Sequence, residues 1–481
     1  MKLRRKSVLA ATASLVAAAA FVGSVLLAMT SATTAIAAPS PSLYATTTPS
    51  AVRATPTATL DPIHSPGQSP SPTAASPSVS PTARPAPTVR ESLVAQGTEP
   101  SIAADPFHPG VVAIVSENLV MTAERSGCSR PAVRISKDGG VTWGAAVYPW
   151  RAQCQDVHSV LAWGPDSRLW VGDAVGATDG VVVSVTHSDD LGKTWSVPWV
   201  QHFTNGWSGC FPAITVDDWP DSPNFGTVYV AYNWLPDNFG PAVAVIASRD
   251  GDNWVHTEVT LDSLPDYPYS WRIGYRIQAA PDGTALVSFY QSNLRLWNPA
   301  NVLSEGPATN IGRMGFEVAR VHFDGKSLSA DTPYWATNVD HTEAQWQSAL
   351  AIDDSGQAWL VVETNDHIAL GRLDGRWREF SVSGQSSFKP SLAISGRTIF
   401  VGWHASDDDG MVRTYYTLSY DGGQTFSPPA LISDAAWNPR SADVMNGVGL
   451  RENADFGGGV VYYAYGDARS GLAIYMAAIK P

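Results

Sequence analysis

One eight-residue turn motif recurs along the chain, and its spacing limits the fold more than any other feature. Ser136-Lys137-Asp138-Gly139-Gly140-Val141-Thr142-Trp143 has the form Ser-x-Asp-x-Gly-x-Thr-aromatic, and so do Ser188 to Trp195 and Ser419 to Phe426. A shortened copy runs from Ser248 through Asp250 to Trp254, and Asp324-Gly325 and Asp374-Gly375 keep only the tip. An Asp carboxylate suits the free amides of such a turn, and Gly suits the positive φ at its tip. Ser136, Asp138, Gly140, Trp143, Ser188, Asp190, Gly192, Trp195, Asp250, Trp254, Ser419, Asp421, Gly423 and Phe426 are therefore read as structural, with the aromatic ring packing back onto the sheet.

From Asp138 the tips follow at intervals of 52, 60, 74, 50 and 47 residues, each enough for four short strands. Apolar runs of strand length accompany them. First strands begin at Glu99, Phe211, Gln347 and Lys389, and partner strands at Val228, Ala285, Ala358 and Thr398. The final unit, Val460 to Ala478, has three strands at most, and Glu91–Gln96 is placed to supply its outer one and close a ring. The expectation is an all-β propeller of seven four-stranded blades, with six as the alternative parsing.

Residues 1–37 read as an export signal: Lys2, Arg4, Arg5 and Lys6 precede an apolar run, and Ala35-Ile36-Ala37 offers a cleavage site. The same run is long enough for an uncleaved anchor. Residues 38–90 hold twelve prolines among Ser, Thr and Ala, which predicts an extended stalk; the propeller is assigned to 91–481. A secreted or cell-surface location follows. Beyond residue 90 the chain has 24 basic and 43 acidic residues, an unfavourable balance for nucleic acid or anionic membranes. Contact with a membrane is expected only through the N-terminus. Cys128, Cys154 and Cys210 match no zinc spacing; Cys128–Cys154 is the favoured disulfide, with Cys154–Cys210 close behind.

Three full turn motifs in one exported chain resemble the Asp boxes of the sialidase superfamily, the BNR-repeat proteins. The resemblance implies boxes on one face of a propeller and a ligand site on the other. It also implies three arginines gripping a carboxylate, a Tyr nucleophile paired with Glu, an Asp acid/base, and an Arg-Ile-Pro sequence in the first blade. Here Thr98 to Asp105 contains no Arg, and Phe388-Lys389-Pro390 is a weak echo whose Lys lacks the bidentate fork of Arg. No catalytic residue is assigned.

Loops opposite the boxes supply the ligand-binding candidates Asp156, His158, Trp207, Tyr269, Arg272, Arg276, Trp346 and Arg440. Arg272 and Arg276 flank an inner-strand entrance, where together they offer a grip on an anion or simply pair with neighbouring acids. The rings stack on sugars or pack blades. No metal site and no cofactor is expected. Asp407-Asp408-Asp409 offers oxygens for Ca²⁺ but lacks the alternating spacing of a calcium loop. The expected function is glycan or extracellular-protein binding by a monomer without catalysis. The alternative is an exo-sialidase-type glycoside hydrolase acting on acidic sugars.

Overall fold

The computed structural model describes residues 85–481, apart from 123–124, 150–156, 178–179, 202–205, 209–210, 237–241, 260–270, 293–314, 337–346, 365–366, 374, 376, 382–384, 434 and 439–451. Phe21–Ala86 separates as a unit of its own, of which only Pro85 and Ala86 are described. Among the described residues no helix is long and apolar enough to cross a membrane.

The described chain is almost wholly β, in seven antiparallel blades. Strand β1, Thr88–Gln96, comes first. Blade 1 contains β2 (Thr98–Ala104), β3 (Val112–Thr122) and β4 (Arg125–Ser136), and its outer edge is a bridge from Val133 to Val147. Blade 2 has β5 (Val157–Trp163), β6 (Leu169–Ala177), β7 (Gly180–Ser188) and β8 (Trp199–Val200), followed by the short β9 (Gly206–Ser208). Blade 3 has β10 (Ala213–Val216), β11 (Val228–Pro236), β12 (Ala242–Ser248) and β13 (Val255–Val259). Blade 4 has β14 (Trp271–Ala279), β15 (Thr284–Ser292) and β16 (Gly315–Phe323), edged by β17 (Leu328–Ala330) and β18 (Tyr334–Trp335). Blade 5 has β19 (Ser348–Ile352), β20 (Ala358–Glu363), β21 (Ile368–Arg372) and β22 (Trp377–Phe380). Blade 6 has β23 (Ser386–Ser395), β24 (Thr398–Ser406), β25 (Val412–Ser419) and β26 (Ala430–Leu431). Blade 7 has β27 (Asn453–Gly457), β28 (Val460–Asp467) and β29 (Ala473–Lys480).

Blade 7 takes its fourth strand from β1, which pairs antiparallel with β29 from Thr88↔Lys480 to Gln96↔Ala473. The first three residues of this strand, Thr88 to Arg90, fall inside the segment read as stalk. Ring closure removes the free sheet edge that an open seven-blade array would expose. Glu91 reinforces the seam, accepting hydrogen bonds from Arg469 Nη2 at 2.5 Å and from the Tyr465 hydroxyl.

The core is divided among the blade interfaces. Seven apolar clusters serve seven neighbouring pairs: Ile102 and Ile114 meet Tyr462 and Met476 between blades 1 and 7, for example. The other six lie between blades 1 and 2, 2 and 3, 3 and 4, 4 and 5, 5 and 6, and 6 and 7.

The turn motif supports these interfaces. Asp138 Oδ1 accepts from Val141 N at 3.0 Å and Thr142 N at 2.9 Å, while Oδ2 accepts from Thr142 Oγ1 at 2.6 Å. Ser136 Oγ accepts from Gly140 N at 2.7 Å. Asp190 with Thr194, and Asp421 with Thr425, repeat this scheme; at Asp250 the side-chain donor is Asn253. These donors hold all four carboxyls below the usual Asp range, Asp190 at about 2. Trp143, Trp195, Trp254 and Phe426 each pack on the cluster shared with the preceding blade, so each ring acts as a wedge between blades.

Candidate functional site at the channel mouth

The first strand of every blade lines a central channel enclosing a cavity of about 230 Å³. Its wall carries Arg276, Asp218, Glu452 and Asp455 among mostly small and apolar residues. Asp455 Oδ2 accepts from Ala104 N at 2.8 Å, and burial pushes this carboxyl up to about 7. Burial likewise raises Asp218 to about 6.

Strand direction fixes the two faces. First strands run toward the Asp-box turns, so their starts lie at the opposite mouth. Counting back from the turns through the strand register gives one equivalent residue at each start: Glu99, His158, Phe211, Gly274, Gln347, Lys389 and Glu452. Five of these have left-handed backbone: Glu99 at φ 53°, His158 at 65°, Phe211 at 70°, Gly274 at 69° and Lys389 at 52°. At four of the five the strand pairing also slips, the signature of a bulge. Non-glycine residues in this region cost about 1 kcal/mol or more each. Four equivalent ones around one opening mark a place where side-chain direction is imposed on the backbone.

The titratable members occupy consecutive blades, 6, 7, 1 and 2, and form two corners. At the first, His158 Nδ1 lies 2.5 Å from Glu99 Oε2, and the His158 amide donates to Glu117 in the middle of β3. Phe211 stacks on the imidazole with centroids 4.1 Å apart. At the second corner, the Lys389 amide donates to Glu363 Oε2 at 2.8 Å, at the end of β20. The two carboxylates do the same job: each ties the mouth of one blade to the second strand of the blade before it.

Glu452 is the hub of the second corner. Its Oε1 accepts from Gly466 N at 3.1 Å and lies 2.8 Å from His404 Nε2; its Oε2 accepts from Tyr463 Oη at 3.1 Å. Burial raises its pKa, but His404 and Lys389 outweigh that and leave it lowered. Burial pushes Glu363 up to about 7, against the opposing pull of the Lys389 amide and ammonium. Lys389 Nζ is 3.8 Å from Glu452 Oε1, and this buried ammonium has no hydrogen-bond partner among the described residues.

Of the sequence-derived candidates, the structure sets His158 at the mouth and Arg276 on the channel wall, where its Nη1 donates to Tyr275 O at 2.8 Å. Arg272 and Arg276 belong to β14 itself and do not flank it from a loop, and the pairing slips between Ile273 and Arg276. Trp207 lies in β9, which bridges β7 and β11. Asp156, Tyr269, Trp346 and Arg440 lie outside the described residues, as do Cys154 and Cys210; Cys128 lies within β4 opposite Val120. Asp407 caps its own turn, accepting from Asp409 N and Met411 N. Glu99 and Glu452 were not singled out by sequence as site residues, whereas Glu117 and Glu363 were placed by it among the loops converging on the channel and lie in β3 and β20. The signal for Glu99 and Lys389 was their shared place ahead of Pro and a small residue at the head of aligned strands.

Fold and mouth together define a seven-bladed β-propeller with a polar half-ring at one end of its channel. No protein-family model matches the sequence, and no curated protein matches it. Among solved structures, an ulvan lyase of a polysaccharide lyase family is 10% identical with a TM-score of 0.48, covering 80% of this chain and 95% of its own. An α-L-arabinanase from Penicillium chrysogenum is 13% identical with a TM-score of 0.46, covering 71% and 100%. A Hadza microbial sialidase is 13% identical with a TM-score of 0.44, covering 73% of each chain. Similarity at this level assigns no activity.

Proposed function

We propose that this protein is an exported, non-catalytic propeller that binds a neutral saccharide at the channel mouth, with Lys389 as a principal contact. The supporting observation is the buried Lys389 ammonium without a hydrogen-bond partner among the described residues. An ammonium carries three donors, and leaving them unsatisfied in a buried site is costly. Sugar hydroxyls supply the missing acceptors. Glu452 already stands beside Lys389 as a counter-charge, and the domain is strongly acidic, which favours hydroxyl ligands over carboxylated ones.

Binding is favoured over hydrolysis because the mouth carboxylates are engaged in holding blades together. Tyr463 and Glu452 do form a Tyr–Glu pair, as the sialidase resemblance would require. Yet Tyr463 has no exposed surface, and burial holds its phenol well above its ordinary pKa.

A glycan array probed with the full chain tests this reading. Neutral glycans are expected to bind, and Lys389→Met to lose about tenfold or more in affinity, the scale of a buried charge-assisted hydrogen bond. Preference for sialylated or uronate glycans, or release of a fluorogenic sialoside above a heat-killed control, would overturn it.

A further inference from the structure

We infer that the His158 corner is a binding site for a divalent transition-metal ion of the zinc class. His158 Nδ1 and one carboxylate oxygen each from Glu99 and Glu117 lie within 4.8 Å of one another. All three side chains are buried, with relative exposures of 8%, 5% and 8%. They come from the starts of β2 and β5 and the middle of β3, three strands in two blades, so the fold and not a single flexible loop brings them together.

Comparison with the Lys389 corner gives this convergence its direction. The two corners share a plan: a left-handed residue at the head of a first strand, its amide held by a Glu from the preceding blade, and a second Glu from an adjoining ring position. At the Lys389 corner a fixed ammonium stands 3.8 Å from one of the two carboxylates, that of Glu452. At the His158 corner the group beside the Glu99 carboxylate is instead an imidazole nitrogen, which carries a proton or a metal but no permanent charge.

One imidazole and two carboxylates suit Zn²⁺ or a neighbouring first-row ion, whereas Ca²⁺ and Mg²⁺ prefer all-oxygen sets. Metal–ligand distances of about 2.0–2.2 Å set tetrahedral ligand atoms about 3.4 Å apart, so Glu99 Oε2 and His158 Nδ1, now 2.5 Å apart, part slightly as the ion replaces the hydrogen bond between them. Glu117 keeps one oxygen on the His158 amide and turns the other to the ion. Phe211, stacked on the ring, shields the site from solvent and fixes the imidazole plane, as supporting neighbours of metal-bound His commonly do.

The test is calorimetric titration of tag-free, chelator-treated full chain with ZnCl₂, MgCl₂ and CaCl₂, with bound metal counted by elemental analysis. One equivalent of Zn²⁺ is expected, with proton release on binding and a rise in melting temperature. Glu99→Gln and His158→Ala are each expected to weaken Zn²⁺ binding by about tenfold or more. Lys389→Met, a change at the other corner, leaves it unaltered, so this result stands or falls separately from saccharide binding. Circular dichroism of the conservative Glu99→Gln chain separates loss of the site from loss of the fold. Less than a tenth of an equivalent of Zn²⁺, binding indifferent to both His158→Ala and Glu99→Gln, or equal affinity for Mg²⁺ or Ca²⁺ would overturn the inference.

Discussion

The two faces of the ring are built by opposite rules. On the Asp-box face, four turns repeat one hydrogen-bond scheme, with an exposed carboxylate, a Gly at positive φ and an aromatic wedge. At the mouth, the seven equivalent positions hold six different residue types, and their buried side chains pair differently from blade to blade. Repetition serves closure of the ring, since every interface needs the same wedge. Divergence at the mouth lies where the chain has spent backbone strain and buried charge, both signs of a site.

The sharpest way to break this comparison is to remove one carboxylate from each face. Glu452→Ala leaves Lys389 and His404 buried without their acid and should cost about 3–5 kcal/mol in urea unfolding. Asp421→Ala, whose carboxylate is exposed, should move the midpoint far less. Equal shifts would mean that the mouth is no more demanding than a turn.

A second test uses pH. The Glu363 carboxyl, raised from 4.5 to about 7 by burial, keeps in the folded chain a proton that the unfolded chain releases. Its contribution is fully present below pH 4.5 and is lost as pH rises to about 7. Glu452 works in reverse: its contribution is present above pH 4.5 and lost as pH falls through its lowered folded value. Glu363→Gln should therefore flatten the stability profile between about pH 4.5 and 7, removing a decline on the order of 3 kcal/mol. An unchanged slope would show that Glu363 is ionised throughout.

Smaller effects sharpen the account of the repeated face. Gly140 has φ +81°, and a Cβ there would meet Met476 Cε at 1.8 Å, whereas Gly422 at φ +72° has nothing within 4 Å. Gly422→Ala should cost about 1 kcal/mol, from backbone strain alone, and Gly140→Ala about 1 kcal/mol more, as Met476 is displaced. Equal losses would remove the packing role given to the Gly140 turn. Lys389→Met should cost less than Glu452→Ala, because it removes one of the two cations beside Glu452 but no hydrogen bond; an equal loss would make Lys389 as central to the corner as its acid.

The repeated face was legible in the sequence because its information is local: Ser136, Asp138 and Gly140 act within a few residues of one another. Seven blades and closure by the strand around Glu91–Gln96 followed from counting such turns. The mouth was legible only in part. Glu99, Phe211 and Lys389 stood at aligned strand starts, but a residue before Pro or at a strand head reads as extended, so left-handed backbone was invisible there. His158 was picked out, yet its partners Glu99 and Glu117 lie 59 and 41 residues away. No pattern within one blade announces pairs made between blades.

The seam between β1 and β29 has a mechanical corollary. Eight residue pairs align the first strand lengthwise with the last, and Thr88 sits beside Lys480 at the Asp-box end. A pull applied at Thr88 along the strand axis shears all eight pairs together instead of peeling them singly, with the Glu91–Arg469 contact as a pin partway along. The strand that completes the ring is thereby also its strongest handle.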